Sequence, residues 1–348
     1  MLGAIVIAGP GTGEVECGAV ANVPAGAGPR VRLQSGTPLT CVEILGRSVL
    51  DRFISELRNA GVEAITLLAD SSLASSRQDI DRATDALPFL WVEDAWRGAT
   101  QILKSYKERG IETALIVHLG AYVECALADA LQFHQDQRQA VTRAFDENGP
   151  LDFWILDVAQ IVDGEEEEIL PILKTVATAA YSIPGYVNRL ERPRDLRSLV
   201  TDAFTSRCRL RPAGAETRPG VWIVEGAQIH KGARIVAPAF IGRGARIEEQ
   251  CLITRCSNVE SNSLVDYGTV IEDSAILSNS YVGIGLDISH SIVNGNNLLN
   301  LERDVALEIM DPGVIRQNRV LRKETSHPSP AAFTPEGMIL ALIEENAR

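Results

Sequence analysis

An aliphatic residue recurs every six positions in the C-terminal half of the chain. The run has no miss, and its members are Ile223, Ile229, Ile235, Ile241, Ile247, Ile253, Val259, Val265 and Ile271. Neither an α-helix nor an ordinary strand has a period of six, whereas a hexapeptide β-helix does. Each short strand of such a solenoid turns one aliphatic side chain into a three-sided prism. The repeat therefore predicts a β-helix over residues 221–298.

A second, smaller residue stands two positions before each of these aliphatic residues. These positions hold Val221, Ala227, Ala233, Ala239, Ala245, Cys251, Ser257, Ser263 and Thr269. Val221 is the loosest fit to this pattern. We expect these side chains at the corners of the prism, where backbones crowd. A looser pattern through Leu277, Val282 and Ile288 extends the stack by about one coil.

The first 208 residues alternate between strand-like and helix-like patterns. The apolar run at 3–8 predicts a buried strand, and Ser48 predicts the N-cap of a helix. Further strands are expected at 64–68, 87–92, 113–118 and 153–158, and further helices near 96–106, 126–134 and 193–203. This alternation indicates an α/β fold class, with a mixed or parallel sheet and flanking helices.

The chain is accordingly divided into four segments. They are an α/β domain at 1–208, a linker at 209–220, the β-helix at 221–298 and a C-terminal extension at 299–348. In the extension, Val305, Leu307 and Ile309 alternate as a strand, and Thr334–Pro335 opens a terminal helix. Because a solenoid needs both ends covered, the extension is expected to cover one of them.

Charge and cysteine usage restrict the partners and the compartment. The net charge of −13 argues against nucleic acid and anionic membranes as partners. The six cysteines are scattered without a Cys-x-x-Cys pair, which is typical of reduced thiols in a cytoplasmic protein. The N-terminal apolar run is too short for a signal peptide or a membrane span. We therefore expect a cytoplasmic protein.

Several short segments match motifs of one enzyme family in order and spacing. They are Val42–Leu50 (VEILGRSVL), Phe133-His134 with Val141-Thr142, and Gly185-Tyr186 followed by Pro193–Leu196 (PRDL). In these motifs the chain resembles the nucleotide-sugar pyrophosphorylases, or sugar-1-phosphate nucleotidyltransferases. The resemblance covers nearly the whole chain. It implies a nucleotidyltransferase-like domain followed by a left-handed hexapeptide β-helix.

The chemistry of that family needs a phosphate-binding loop. A sugar-1-phosphate oxygen attacks the α-phosphorus of a nucleoside triphosphate, and backbone N–H groups of a glycine-rich loop approach the phosphates. The resemblance places this loop at Ala8–Glu14 (AGPGTGE), with Gly9, Gly11, Thr12 and Gly13 as nucleotide-binding candidates. The family's arginine is absent, and Glu14 would repel a triphosphate. A tight turn at the end of a strand explains the same glycines equally well.

The family also needs Mg²⁺ held by carboxylates to neutralise the developing charge. The resemblance places the substrate cleft at His118, Gly120, Ala121, Tyr186 and Arg189. Ala121 and Arg189 stand where the family has its two metal-binding aspartates. An arginine carries one positive charge, but it does not polarise an α-phosphorus as bound Mg²⁺ does. No metal ligand or catalytic residue is therefore predicted.

Three functions remain open. The first is a catalytically degenerate relative that binds a nucleotide, sugar phosphate or nucleotide sugar in a regulatory or assembly role. The second is an active Mg²⁺-dependent enzyme for polysaccharide or cell-envelope precursors, with Glu124, Asp152 or Asp157 as a relocated ligand. The third is a hexapeptide acyltransferase with His230 or His290 as general base. Flat solenoid faces favour a homo-oligomer, or an assembly with a catalytic homologue.

Overall fold

The computed structural model of the chain describes residues 1–9, 37–162, 168–175 and 178–318. The predictions for Gly11, Thr12 and Gly13, and for the helix that opens at Thr334, lie outside these residues. Residues 1–318 form one compact unit, in which an α/β region precedes a strand-rich region. None of the helices in the described ranges is long and apolar enough to cross a membrane.

The α/β region contains eleven described strands and seven described helices. The strands are β1 (Leu2–Ala8), β2 (Glu43–Ile44), β3 (Arg47–Ser48), β4 (Ala64–Asp70), β5 (Phe89–Val92), β6 (Thr113–Leu119), β7 (Tyr122–Val123), β8 (Val141–Asp146), β9 (Gly149–Asp157), β10 (Thr178–Ser182) and β11 (Val187–Asn188). The helices are α1 (Val49–Asn59), α2 (Arg77–Asp81), α3 (Ala95–Glu108), α4 (Leu127–Gln137), α5 (Val158–Val162), α6 (Ile169–Thr175) and α7 (Pro193–Phe204), with 3-10 turns at Leu39–Cys41 and Ser71–Ser76.

Seven of these strands form a mixed sheet in the order β10-β8-β9-β6-β1-β4-β5. Only β9 among them runs antiparallel to its neighbours. From β1 the chain first builds outward through β4 and β5 and then crosses to β6 on the other side. The strand order therefore reverses between β1 and β6. This confirms the predicted α/β class with a mixed sheet.

Helix α1 forms where the sequence predicts it. The Ser48 hydroxyl accepts from the Asp51 backbone N–H, which satisfies one of the free donors of the first turn. The apolar side chains on one face are buried, and they are Val49, Leu50, Phe53, Ile54 and Leu57. Gly61, at φ 79°, follows the helix and takes the left-handed conformation that ends many helices.

The strand-rich region holds seventeen further strands. They are β12 (Ala215–Arg218), β13 (Val221–Ile223), β14 (Gln228–Ile229), β15 (Arg234–Ile235), β16 (Ala239–Ile241), β17 (Arg246–Ile247), β18 (Leu252–Thr254), β19 (Ser257–Val259), β20 (Leu264–Val265), β21 (Val270–Glu272), β22 (Ala275–Ile276), β23 (Ser280–Val282), β24 (Asp287–Ser289), β25 (Ser291–Asn294), β26 (Asn297–Asn300), β27 (Val305–Glu308) and β28 (Ile315–Gln317). Strand β12 lies within the predicted linker, where it pairs antiparallel with β13.

Every third strand of this region joins the same parallel sheet. The three series are β13-β16-β19-β22-β25, β14-β17-β20-β23 and β15-β18-β21-β24. Aliphatic hexad positions stack on one another, so that Ile235 pairs with Ile253 and Ile253 with Ile271. Three hexads therefore complete one turn of the chain. Antiparallel strands β12, β26 and β27 flank the first sheet, and β28 closes the second.

The spacing shortens by one residue near the end of the stack. Val259 pairs with Ile276, seventeen residues on, so the prediction that Leu277 continues the hexad is wrong. Leu277 instead packs in the apolar cluster that contains Leu199 of α7. The predicted positions Val282 and Ile288 do continue the stack. The turn that contains β22 thus supplies Leu277, together with Ala275, to the apolar contact between the two regions.

A hydroxyl ladder connects successive turns of the stack. The Ser263 hydroxyl donates to the Leu277 carbonyl at 2.8 Å and accepts from the Ser280 backbone N–H at 3.2 Å. Ser257, Thr269 and Ser274 make the same pair of bonds, to a carbonyl fourteen residues on and an N–H seventeen residues on. The small-residue positions therefore carry buried hydrogen bonds as well as tight packing.

A chain of buried hydrogen bonds joins the α/β region to the solenoid. Arg197 of α7 donates to the Asn258 side-chain oxygen at 2.9 Å, and the Asn258 amide donates to Glu260 at 2.7 Å. The two carboxylate oxygens of Glu260 accept from the backbone N–H groups of Leu45 and Gly46, at 2.8 and 3.0 Å. Leu45 and Gly46, which connect β2 to β3, both have positive φ angles.

Candidate functional site

The strand order identifies the crevice at which a ligand is expected. In open α/β sheets, ligands bind outside the carboxyl ends of the strands at the point where the strand order reverses. In this sheet that point lies between β1 and β6, which are followed by Gly9 and Gly120. Two of the predicted cleft residues, His118 and Gly120, and the first loop glycine, Gly9, are therefore brought to one edge.

His118 is the second-to-last residue of β6, at this edge of the sheet. It is 6% exposed, and its ring packs against Trp96 in the first turn of α3 at a centroid distance of 5.9 Å. A Cβ atom at Gly9 would lie 2.7 Å from the His118 Nε2 atom. Gly9 is therefore required by the imidazole packed against it, which gives this glycine a packing reason independent of phosphate binding.

A row of charged and aromatic side chains continues from His118. Asp152 Oδ2 lies 3.6 Å from His118 Nδ1, and Asp152 Oδ1 lies 3.4 Å from the Arg143 guanidinium. The Arg143 guanidinium stands 5.1 Å from the ring centre of Trp154, which in turn packs edge-on against Trp96. Burial of Arg143 lowers the pKa of its guanidinium, while Asp152 opposes that effect.

Arg189 stands directly after β11, and Ala121 stands directly before β7. Strands β7 and β11 pair Tyr122 with Asn188, and extending this register by one residue places Arg189 opposite Ala121. Arg189 binds both oxygens of Asp146, from Nε at 2.9 Å and from Nη2 at 2.5 Å. It also donates to the carbonyl groups of Gly149 and Pro150. The guanidinium is thus anchored to the turn between β8 and β9.

The Arg189–Asp146 pair is strongly coupled electrostatically. Burial acts to raise the pKa of Asp146, but its hydrogen bonds to Arg189 and to the Asn148 backbone outweigh that effect and lower it. The hydrogen bond to Asp146 raises the pKa of Arg189. Both groups are therefore charged at neutral pH. The carboxylate nearest to the Arg189 side chain is committed to that ion pair and does not serve as a free metal ligand.

Tyr186 is held by α7. Its hydroxyl donates to Asp202 at 2.7 Å, and its ring packs against Tyr122 at a centroid distance of 6.1 Å. Burial, followed by the bond to Asp202, raises the pKa of Tyr186. The preceding residue, Gly185, approaches the Glu124 carbonyl so closely that a Cβ atom would lie 2.0 Å from it. The Gly-Tyr motif therefore has a packing role where β11 meets β7.

The acids considered as relocated metal ligands are engaged in other contacts. Glu124 accepts from the Tyr122 hydroxyl at 2.9 Å and from the Arg209 backbone N–H. Asp152 faces Arg143, and Asp157 accepts from Gln160. Over the part of the chain that the structure describes, no group of three or more His, Cys, Asp or Glu residues could hold a metal ion. These residues do not fit a Mg²⁺ centre.

The histidines of the solenoid have local partners. His230 Nδ1 accepts from the Gly232 backbone N–H at 3.1 Å, within its own turn. His290 Nδ1 lies 2.7 Å from Asp273, which also binds Arg197 of α7 at 2.8 Å. His290 therefore belongs to the contact between the solenoid and the α/β region, so its carboxylate partner has a structural explanation. In the α/β region, the His134 and Thr142 of the family-like motif bond to each other at 2.7 Å.

Sequence reasoning missed Arg143, Asp146 and Glu260. Each of these side chains bonds to residues elsewhere in the sequence, so no local pattern marks it. Arg189, for example, follows its partner Asp146 by forty-three residues.

The chain matches no protein-family model and no curated protein sequence.

Proposed function

We propose that the chain is a nucleotidyltransferase-like protein without metal-dependent turnover. It binds a nucleotide, sugar phosphate or nucleotide sugar in a regulatory or assembly role. The observation that carries this proposal is the Arg189–Asp146 ion pair opposite Ala121, at the two positions where the resemblance expects metal-binding aspartates. A guanidinium held in that ion pair does not supply Mg²⁺ chemistry.

The architecture supports the same proposal. The sheet has a crevice where its strand order reverses, and glycines follow both strands at that point. We infer that the three stacked parallel sheets form the left-handed hexapeptide β-helix that the resemblance implies. Such a solenoid offers flat faces for assembly, so a homo-oligomer or a complex with a catalytic homologue in the cytoplasm follows. The role of the protein is then regulation or assembly, and not the conversion of a substrate.

A thermal-shift panel tests this proposal. Nucleoside triphosphates, nucleoside diphosphates, sugar-1-phosphates and nucleotide sugars are each added with Mg²⁺ and with EDTA. We expect at least one class to raise the melting temperature, and to raise it equally in the two conditions. A shift that requires Mg²⁺ would instead support the active enzyme with relocated ligands. A panel without any shift would contradict ligand binding altogether.

A further inference from the structure

Two buried polar atoms at the crevice have no hydrogen-bond partner within the described ranges of the chain. They are His118 Nδ1 and Trp154 Nε1. Buried side-chain donors and acceptors are nearly always paired, so each exception calls for an explanation. Both side chains contact Trp96 of α3, and both lie in the charged and aromatic row described above. Of these two side chains, the His118 imidazole can gain a positive charge, whereas the Trp154 indole cannot.

The row places a carboxylate beside the imidazole. Arg143 is fixed by the Leu151 carbonyl at 3.0 Å and stands beside Asp152, so it holds that carboxylate towards the ring. The gap of 3.6 Å between Asp152 and His118 Nδ1 is too long for a hydrogen bond. A protonated imidazole would close it, because charge-assisted hydrogen bonds are shorter and stronger. Catalytic and binding contacts of histidines often tighten in this way only when the ligand is present.

The second ring nitrogen lies at the edge of the sheet where a ligand is expected. His118 Nε2 lies against Gly9, at the carboxyl end of β1. Asp152 from β9 faces the ring, α3 contributes the uncharged Trp96, and β1 contributes a glycine. Arg143 from β8 pairs with that Asp152 carboxylate. A phosphate oxygen at Nε2 would therefore place the imidazole between two anions.

We propose that His118 binds a phosphate group of the ligand through Nε2 and takes up one proton from solvent when it does so. The imidazolium then donates from Nδ1 to Asp152 and from Nε2 to the phosphate oxygen. Its charge does part of what a metal ion would do at the same edge of the sheet. This inference rests on the proposed ligand binding, and it names the chemical class that the crevice recognises as a phosphate or pyrophosphate group.

Isothermal titration with proton-linkage analysis tests the proposal. The probes are inorganic pyrophosphate, ADP, GDP and UDP in EDTA, each titrated at one pH in two buffers of different ionisation enthalpy. We expect wild-type protein to take up more protons per bound ligand than His118→Gln, which cannot be charged. We also expect the variant to bind about tenfold or more weakly, since it loses a charge-assisted hydrogen bond. Asp152→Asn should reduce proton uptake while leaving the imidazole in place.

Three controls make the outcomes separable. His230→Gln, on the exposed part of the solenoid, should match wild type in affinity and proton uptake. Melting of the ligand-free variants reports folding, and if His118→Gln is too unstable to titrate, Asp152→Asn carries the same comparison. Equal proton uptake and affinity in wild type and both crevice variants would overturn the role of His118 while leaving the proposed function intact. A wild-type protein that binds none of these probes or the earlier panel would overturn both.

Discussion

Glu260 is a fully buried carboxyl group at the contact between the α/β region and the solenoid. Burial, followed by repulsion from Glu43, raises its pKa to about 8, although three hydrogen-bond donors act in the opposite direction. Glu43 itself accepts from the hydroxyl groups of Ser261 and Ser278 on successive turns. Two acids from different parts of the chain therefore meet at one junction. A carboxyl group in this position makes the stability of the fold depend on pH.

The sign of that dependence follows from the raised pKa. Below the ordinary carboxyl pKa of 4.5, Glu260 is protonated in the folded and the unfolded chain, and its contribution to stability is fully present. As the pH rises towards about 8, the unfolded chain loses the proton while the folded chain retains it, so that contribution is lost.

We expect the melting temperature of wild type to fall over this window more steeply than that of Glu260→Gln. Glu249→Gln, at an exposed position, should keep the wild-type slope. Parallel slopes in all three proteins would show that folding does not raise the pKa of Glu260.

At the scale of elements, the hydroxyl ladder distinguishes the second half of the stack from the first. The corner positions change from alanine (Ala227, Ala233, Ala239 and Ala245) to cysteine, serine and threonine in the later turns. In those turns the side chains add hydrogen bonds between successive turns to those that the backbone makes. The corner itself uses left-handed residues, as at Gly244 and Asn262, with φ 65° and 56°. The small residues at the corner positions thus contribute both tight packing and hydrogen bonds to the stack.

Ser263→Ala tests the ladder. The substitution leaves the Leu277 carbonyl and the Ser280 N–H without their buried partner, so we expect a loss of about 1–3 kcal/mol in the free energy of unfolding. Denaturant melts give that value. Ser198→Ala, on the exposed side of α7, should change stability by less than about 0.5 kcal/mol. If the two variants lose the same amount, the ladder contributes no more than an exposed hydroxyl.

The sequence was most informative where a pattern is local. The buried face of α1, its Ser48 cap and the hexad stack follow from periodicity within a few turns, and the structure confirms them. The shortened step from Val259 to Ile276 was missed because it depends on the contact of Leu277 with α7. Strand β12 was missed because its pairing with β13 forms inside a segment rich in arginine, proline and glycine.

At the scale of the whole molecule, the two regions are joined through buried polar groups rather than by apolar contact alone. Arg197, Asn258 and Glu260 form a continuous series of hydrogen bonds from α7 to the turn between β2 and β3. That turn leads directly into α1. The partners are about sixty to two hundred residues apart, which no sequence pattern reveals.

The candidate site was also only partly predictable from the sequence. The resemblance indicated the ends of β1 and β6, at Gly9 and His118, and the strand order of the structure brings those two ends together. The ion pair of Arg189 with Asp146, and the row from Arg143 to His118, depend on side chains from β6, β8 and β9 and on Arg189, which follows β11. Their meeting could be found only from the structure.

Release of pyrophosphate is the most direct measurement of the central claim, which is that this α/β region has lost metal-dependent nucleotidyl transfer. The protein is incubated with saturating Mg²⁺, each common nucleoside triphosphate and a set of sugar-1-phosphates, and pyrophosphate is quantified over time. The account predicts no release above that of the substrates alone. Release that requires Mg²⁺ and a sugar-1-phosphate, scales with protein concentration and is abolished by EDTA would contradict it.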